Sequence, residues 1–213
     1  MEFTINDFTT EQLDEAERIF SRPCSFILGV AKLEQLPNAS VNEIAFAGRS
    51  NVGKSSIINA VTNQKGLAKT SNTPGRTQQI NYFNLDDKVY LVDLPGYGFA
   101  KAPDKVVKQW QKLIFTYLQG RPNLMRVFVL IDSRHGVKKI DNEIMQMLDK
   151  AAVNYQIVLT KIDKISAKEL EKVIEDTKKE IKKHAAAYIK PLITSSAKNI
   201  GINELRAEIV SLI

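Results

Sequence analysis

One stretch, Gly48-Arg49-Ser50-Asn51-Val52-Gly53-Lys54-Ser55, constrains this chain more than any other. It fits the spacing G-x-x-x-x-G-K-[ST], in which a strand runs through a phosphate cradle into a helix. Gly48 and Gly53 permit backbone angles closed to other residues, so consecutive N–H groups can turn onto phosphate oxygens. Lys54 brings a positive charge to the β/γ-phosphates, and the Ser55 hydroxyl can ligate Mg²⁺. The flanks agree. Ile44-Ala45-Phe46-Ala47 is the short apolar run of a buried parallel strand. Residues 56–61 open a helix whose N-terminal dipole also favours anions.

Composition narrows the class. A length of 213 residues suits one α/β domain with a sizeable core and short appendages. The lone cysteine, Cys24, forms no internal disulfide and suits a reducing cytosol. The acidic N-terminus lacks the basic-then-apolar order of a signal peptide, and no apolar run approaches the ~20 residues that span a bilayer. These features predict a cytoplasmic protein with no membrane contact. Lys and Arg number 30 against 24 Asp and Glu, a net charge of +6. That excess is compatible with an RNA or ribosome partner without establishing one.

Strand and helix patterns then alternate, which predicts a doubly wound, mostly parallel sheet. Thr10 is placed to cap a helix over 11–20, and residues 25–30 read as extended. Residues 66–78 hold Gly, Pro, Thr, Ser and Asn without a period. A loop of that length is commonly functional, and Thr70, Thr73 and Thr77 each offer a hydroxyl for Mg²⁺. Segments 80–85 and 88–93 flank Asp86-Asp87 as a hairpin. The second ends in Asp93-Leu94-Pro95-Gly96, where a Mg²⁺ partner and a γ-phosphate N–H donor belong. A glycine-hinged loop, 97–103, leads to a helix with apolar spacing from Val106 to Leu118. Residues 126–132 form the clearest buried strand, and His135 in the loop after it reads as a polar surface residue. A helix over 140–148 follows, its methionines packed as core filler. A strand at 155–159 comes next, then a Ser166-capped helix, a strand at 189–194 and a last helix after Gly201. The lysines at 178–183 read as a solvated face.

The base is chosen elsewhere. Thr160-Lys161-Ile162-Asp163 closes a strand on the binding edge of the sheet. A carboxylate there accepts the ring N–H and the amino group of guanine, whereas adenine leaves it unpaired. Thr194 ends the last strand, and Ser195-Ser196-Ala197 after it can present backbone N–H groups to the guanine carbonyl. A P-loop small-molecule kinase would require an Arg-rich lid, which no segment supplies. A GTP-dependent binding module that barely hydrolyses stays open.

Together these motifs resemble the translation-factor-related GTPases. More closely, residues 48–56, Thr73-Pro74-Gly75-Arg76-Thr77-Gln78, Asp93-Leu94-Pro95-Gly96-Tyr97-Gly98 and Thr160-Lys161-Ile162-Asp163 are similar to the EngB (YihA/YsxC) family. These are bacterial GTP-binding proteins implicated in ribosome assembly and normal cell division. The resemblance runs from Glu43 to the C-terminus, leaving 1–37 as an extension packed on a GTP-binding domain at 38–213. It implies a three-layer GTPase fold, mostly parallel with one antiparallel strand. It also implies GTP or GDP with Mg²⁺ as ligands, a monomer, and the large ribosomal subunit or its precursor as partner. Thr77 would be the Mg²⁺ ligand of the first switch, with Gly75, Arg76, Gln78 and Gln79 closing over the nucleotide. Ser55 would be the second protein ligand, Asp93 would act on the metal through water, and Lys54, Thr77, Gly96 and Asn51 would serve hydrolysis. Asn51 resembles relatives that recruit K⁺ where an arginine finger would act. Thr160 stands where most GTPases carry Asn, a feature the family shares. Tyr97 stands where Ras-like proteins carry a water-orienting Gln, which predicts slow intrinsic hydrolysis.

Overall fold

The computed structural model describes residues 8–69, 79–97 and 104–213, the side chains of 104–110 excepted. The candidate residues Thr70, Thr73, Gly75, Arg76, Thr77 and Gln78 lie outside that set, as do 98–103 of the hinged loop. Among the described residues, seven strands run in the spatial order β1-β3-β4-β2-β5-β6-β7. They are β1 (Cys24–Val30), β2 (Glu43–Gly48), β3 (Ile80–Leu85), β4 (Val89–Asp93), β5 (Leu124–Asp132), β6 (Tyr155–Thr160) and β7 (Leu192–Ile193). From β4 to β7 every pairing is parallel; β3 alone runs the other way, antiparallel to both β4 and β1. The fold is therefore the mostly parallel α/β sheet with one reversed strand that the sequence implied.

Among the described residues, six α-helices, α1 (Thr10–Phe20), α2 (Lys54–Val61), α3 (Asp104–Gly120), α4 (Lys139–Lys150), α5 (Ala167–Ile181) and α6 (Ile202–Val210), cover both faces. The strands alternate their side chains between two apolar layers. Ala45, Val127, Val129 and Ile157 meet α3, α4 and α5, while Ile44, Phe46, Phe128 and Val158 meet α1, α2 and α6. β5 is covered on both faces, and Val127 to Ile131 have no exposure. Each such side chain contributes roughly 1.5–3 kcal/mol by leaving water.

Local chemistry sets the boundaries. Asp86 and Asp87 both take positive φ, at 46° and 54°, as a two-residue hairpin turn demands. Thr9, not Thr10, caps α1: its hydroxyl accepts the Gln12 N–H and the Gln12 side chain returns to the Thr9 N–H. The expected strand at 189–194 shrinks to two residues, because Pro191 has no N–H to donate and Ile189 is left exposed. Lys178 and Lys179 of α5, and Lys183 just beyond it, pair at i,i+3 with Glu175, Asp176 and Glu180. His135 is exposed, and Met145 is fully buried.

The segment before residue 37 enters the core. β1 pairs along β3, and Phe20 and Cys24 share an apolar cluster with α2 and α6. At the opposite pole from the phosphate cradle, Glu43 of β2 is fully buried. Its carboxylate pairs with Arg121 and accepts the hydroxyls of Tyr117 at 2.9 Å and Tyr82 at 3.2 Å and the Asn123 amide at 3.3 Å. No helix among the described residues is long and apolar enough to cross a membrane.

Candidate functional site

The carboxyl ends of β2, β4, β5 and β6 converge on one edge of the sheet, where an open α/β sheet places its ligand. β2 delivers Gly48, at which an added Cβ would come within 2.7 Å of the Val52 side chain. The chain then loops through Arg49, Ser50, Asn51 and Val52 to Gly53, whose φ of 105° only glycine adopts without strain. Gly53 is the N-cap of α2, so Lys54 and Ser55 stand in the helix's first turn, two residues earlier than the sequence pattern placed it. Asn51 is also left-handed, at φ 62°, a conformation asparagine tolerates better than most residues.

Lys54 forms an ion pair with Asp93 at the end of β4. Both are largely buried, so each charge compensates the other across the mouth of the cradle. Ser55 Oγ points to the carbonyl of Lys69 at 3.5 Å. Leu94 donates its N–H to Phe46, Pro95 follows, and Gly96 lies against the cradle.

The guanine-motif residues are tied to the same loop. The Thr160 hydroxyl donates 2.8 Å to the Val52 carbonyl, and Lys161 Nζ donates 2.6 Å to that of Asn51. Thr160 is thus a brace between base and phosphate subsites and is itself buried. Lys161 holds a left-handed backbone, φ 58°, at the entry of a single 3₁₀ turn that contains Ile162 and Asp163. Ser195 donates 2.6 Å to Asp163 Oδ1; this hydroxyl, helped by Lys164, holds the carboxyl below its usual range. Thr194 is anchored by its N–H on the Leu159 carbonyl at 2.7 Å, and Ser196 and Ala197 continue into solvent beside it. Gln79, the one described residue of the expected closing segment 75–79, is exposed before β3.

Two residues escaped the sequence reading. Asp132, at the end of β5, accepts both Nε (2.9 Å) and Nη2 (2.7 Å) of Arg134 and lies 3.0 Å from Lys161 Nζ. Burial alone would raise its carboxyl, but Arg134 and Lys161 outweigh that and push it well below the usual range. Asp132 therefore aims Lys161 across the site. Its signal was available as a carboxylate closing a buried parallel strand. Asp141, on α4, receives the Tyr97 hydroxyl and carried no motif at all.

A phosphate cradle, an adjoining Lys–Asp pair and a guanine-type carboxylate on one edge of such a sheet define a P-loop GTPase. The chain matches the family described as "50S ribosome-binding GTPase" over residues 43–161, and the elongation factor Tu GTP-binding domain over 123–213. It is 56% identical over 206 residues to the probable GTP-binding protein EngB of Caulobacter vibrioides, covering 97% of this chain and 90% of that one. The corresponding Rhodospirillum rubrum protein is 52% identical over 215 residues, covering 99% and 93%. The chain belongs to the EngB family of GTP-binding proteins, and it is a GTP-hydrolysing enzyme. These alignments span nearly the whole chain, so α1 and β1 fall within the shared length, beyond the motif resemblance that began at Glu43. A crystal structure of a probable GTP-binding protein engB shares the fold with a TM-score of 0.65 at 23% identity, over 80% of this chain and 97% of that one. Era in complex with MgGDPNP and a 16S rRNA segment does so at 0.60 and 23%, over 81% and 57%.

Proposed function

We infer that this GTPase is a nucleotide-driven switch that acts in assembly of the large ribosomal subunit in the cytoplasm, and that normal cell division depends on that activity. The observation that carries the switch reading is the brace from Thr160 and Lys161 to the carbonyls of Val52 and Asn51, which joins base and phosphate recognition. The ribosomal partner is supported by the match to a family described as ribosome-binding and permitted by the net charge of +6. The test is cosedimentation of the monomeric chain with large subunits or their precursors under GTP, GDP and a non-hydrolysable analogue. Retention only with the analogue or GTP supports the reading; equal binding in all three states removes it.

The donor set fits Mg²⁺: the Ser55 hydroxyl and the Asp93 carboxylate are hard oxygens beside the cradle, as this ion prefers. Thr77 would complete that set. Held by these residues, the ion would supply positive charge against that of the phosphates. Lys54, released from Asp93 by the stronger pull of phosphate, would hold the β/γ-phosphates, leaving Asp93 to face the ion's water. Gly96 would donate its N–H to the γ-phosphate, and Asp163 and Lys161 would select guanine. Tyr97 is turned into the core, so the side chain at the Ras-like Gln position orients no water, which supports slow intrinsic turnover.

K⁺ beside Asn51 would supply the missing charge. Its backbone carbonyl already serves Lys161, so the side-chain amide can be tested separately. Turnover is expected to rise about tenfold from Na⁺ to K⁺ at matched ionic strength, and Asn51→Gly, which keeps the left-handed backbone, is expected to erase the difference. Equal rates for the wild type in the two salts would remove the idea.

A further inference from the structure

The segment after Asp93 is zipped to the first half of the phosphate cradle. Ser50 donates its N–H to the Tyr97 carbonyl at 3.1 Å, Tyr97 donates to that of Gly48 at 3.3 Å, and Arg49 and Tyr97 form a parallel bridge. Gly96 is caught between, 3.4 Å from Ser50 Oγ and 3.5 Å from the Gly48 carbonyl at its Cβ position. The Tyr97 side chain then turns inward, 4% exposed, and its hydroxyl donates 2.9 Å to Asp141 Oδ1. Arg49 Nε stands 3.4 Å from the same oxygen. The other carboxylate oxygen accepts the Lys138 N–H at 2.8 Å and closes the first turn of α4. The phenol ring borders a small apolar cavity with Leu94, Ile114, Ile144 and Leu148, a lining that offers its hydroxyl no polar partner. Among the described residues, buried Arg49 Nη2 has no hydrogen-bond partner, which marks the cluster as a network with bonding in reserve.

We propose that Tyr97, Asp141 and Arg49 form a positioning network that holds the Gly96 amide ready for the third phosphate of GTP, so that Tyr97 helps tell GTP from GDP while touching neither. The inference rests on the switch reading above. Gly96 is bonded directly to the latched residue, and the latch reaches both the cradle, through Arg49, and α4, through Asp141. With the hydroxyl in place, Gly96 is ordered before nucleotide arrives. Without it, GTP must order that peptide on binding, whereas GDP, lacking the third phosphate, never needs it. Ordering one backbone residue corresponds to about a tenfold change in affinity.

The experiment titrates the full chain with GDP and with a non-hydrolysable GTP analogue in Mg²⁺ buffer, for the wild type, Tyr97→Phe, Asp141→Asn and the double variant. Tyr97→Phe removes only the hydroxyl and keeps the ring in the core. GDP affinity is expected to stay within about twofold, while affinity for the analogue falls about tenfold in each single variant. The double variant is expected to do no worse than either alone, because both changes open the same latch. Analogue and GDP affinities moving together, or neither moving, in a folded Tyr97→Phe protein would overturn the proposal. Should Asp141→Asn fail to fold, Tyr97→Phe decides alone. A wild type that binds neither nucleotide would instead sink the switch reading itself.

Discussion

Asp163→Asn is expected to lower affinity for guanine nucleotides on the order of a thousandfold and to make xanthine nucleotides the preferred ligands. A carboxylate presents two acceptors to guanine's ring N–H and amino group. An asparagine presents one acceptor and one donor, so a donor would face the amino group across a desolvated gap. Xanthine carries a carbonyl at that position and matches the amide. The fold should survive the change, because an asparagine Oδ1 still accepts the Ser195 hydroxyl that now lies 2.6 Å from Asp163. Competition titration of GDP against XDP decides it, and a GDP affinity within about threefold of wild type would rule out Asp163 as the selector. The pH dependence has a definite sign. The Asp163 carboxyl is depressed by Ser195 and Lys164, so guanine selection is present above the usual carboxylate range and is lost only as pH falls below it. Preference for GDP over ADP should therefore stay level from about pH 8 to 5.5.

Glu43→Ala is expected to reduce folding stability by about 3–5 kcal/mol without altering the chemistry of the site. The substitution strands the largely buried Arg121 guanidinium and leaves the Tyr82 and Tyr117 hydroxyls without their acceptor. Burial by itself pushes both phenols well above their ordinary range, so neither ionises to compensate once the carboxylate is gone. For a chain of this size such a loss lowers the melting temperature by roughly 10 °C. Glu43→Gln should cost less, since an amide oxygen still accepts a hydroxyl. Urea unfolding of the three proteins measures the effect, and a loss below about 1 kcal/mol for the alanine variant would show that Arg121 finds another partner. The cradle lies at the other end of β2, so GDP affinity of the folded alanine variant should match the wild type.

The strands were legible because burial on both faces writes itself as unbroken apolar runs, clearest in β5, and because Asp86-Asp87 can turn where little else can. The cradle was legible because its chemistry is contiguous. Glu43, Asp132 and Asp141 were not, since each takes its meaning from a partner brought near only by the sheet: Tyr82 and Tyr117, Lys161, and Tyr97. Local rules also failed where two readings competed. Thr9 and Thr10 are both good caps, and only the glutamine at 12 distinguishes them. Tyr97 was read against the glutamine of Ras-like proteins, which compares chemistry at a position and says nothing of where the side chain turns. Its inward course depends on Asp141, 44 residues further on.

The seam between α1 and α6 has a consequence for how the molecule is made. Phe20 belongs to the same apolar cluster as Leu205 and Ile209, and Arg206 covers its ring at 5.8 Å. Leu205 follows Phe20 by 185 residues. At synthesis rates of about 5–20 residues per second, α1 waits roughly ten to forty seconds for the helix that shelters it. Among the described elements the earliest is thus completed by the latest. A chain cut short before α6 would leave the Phe20 flank of α1 without its apolar cover.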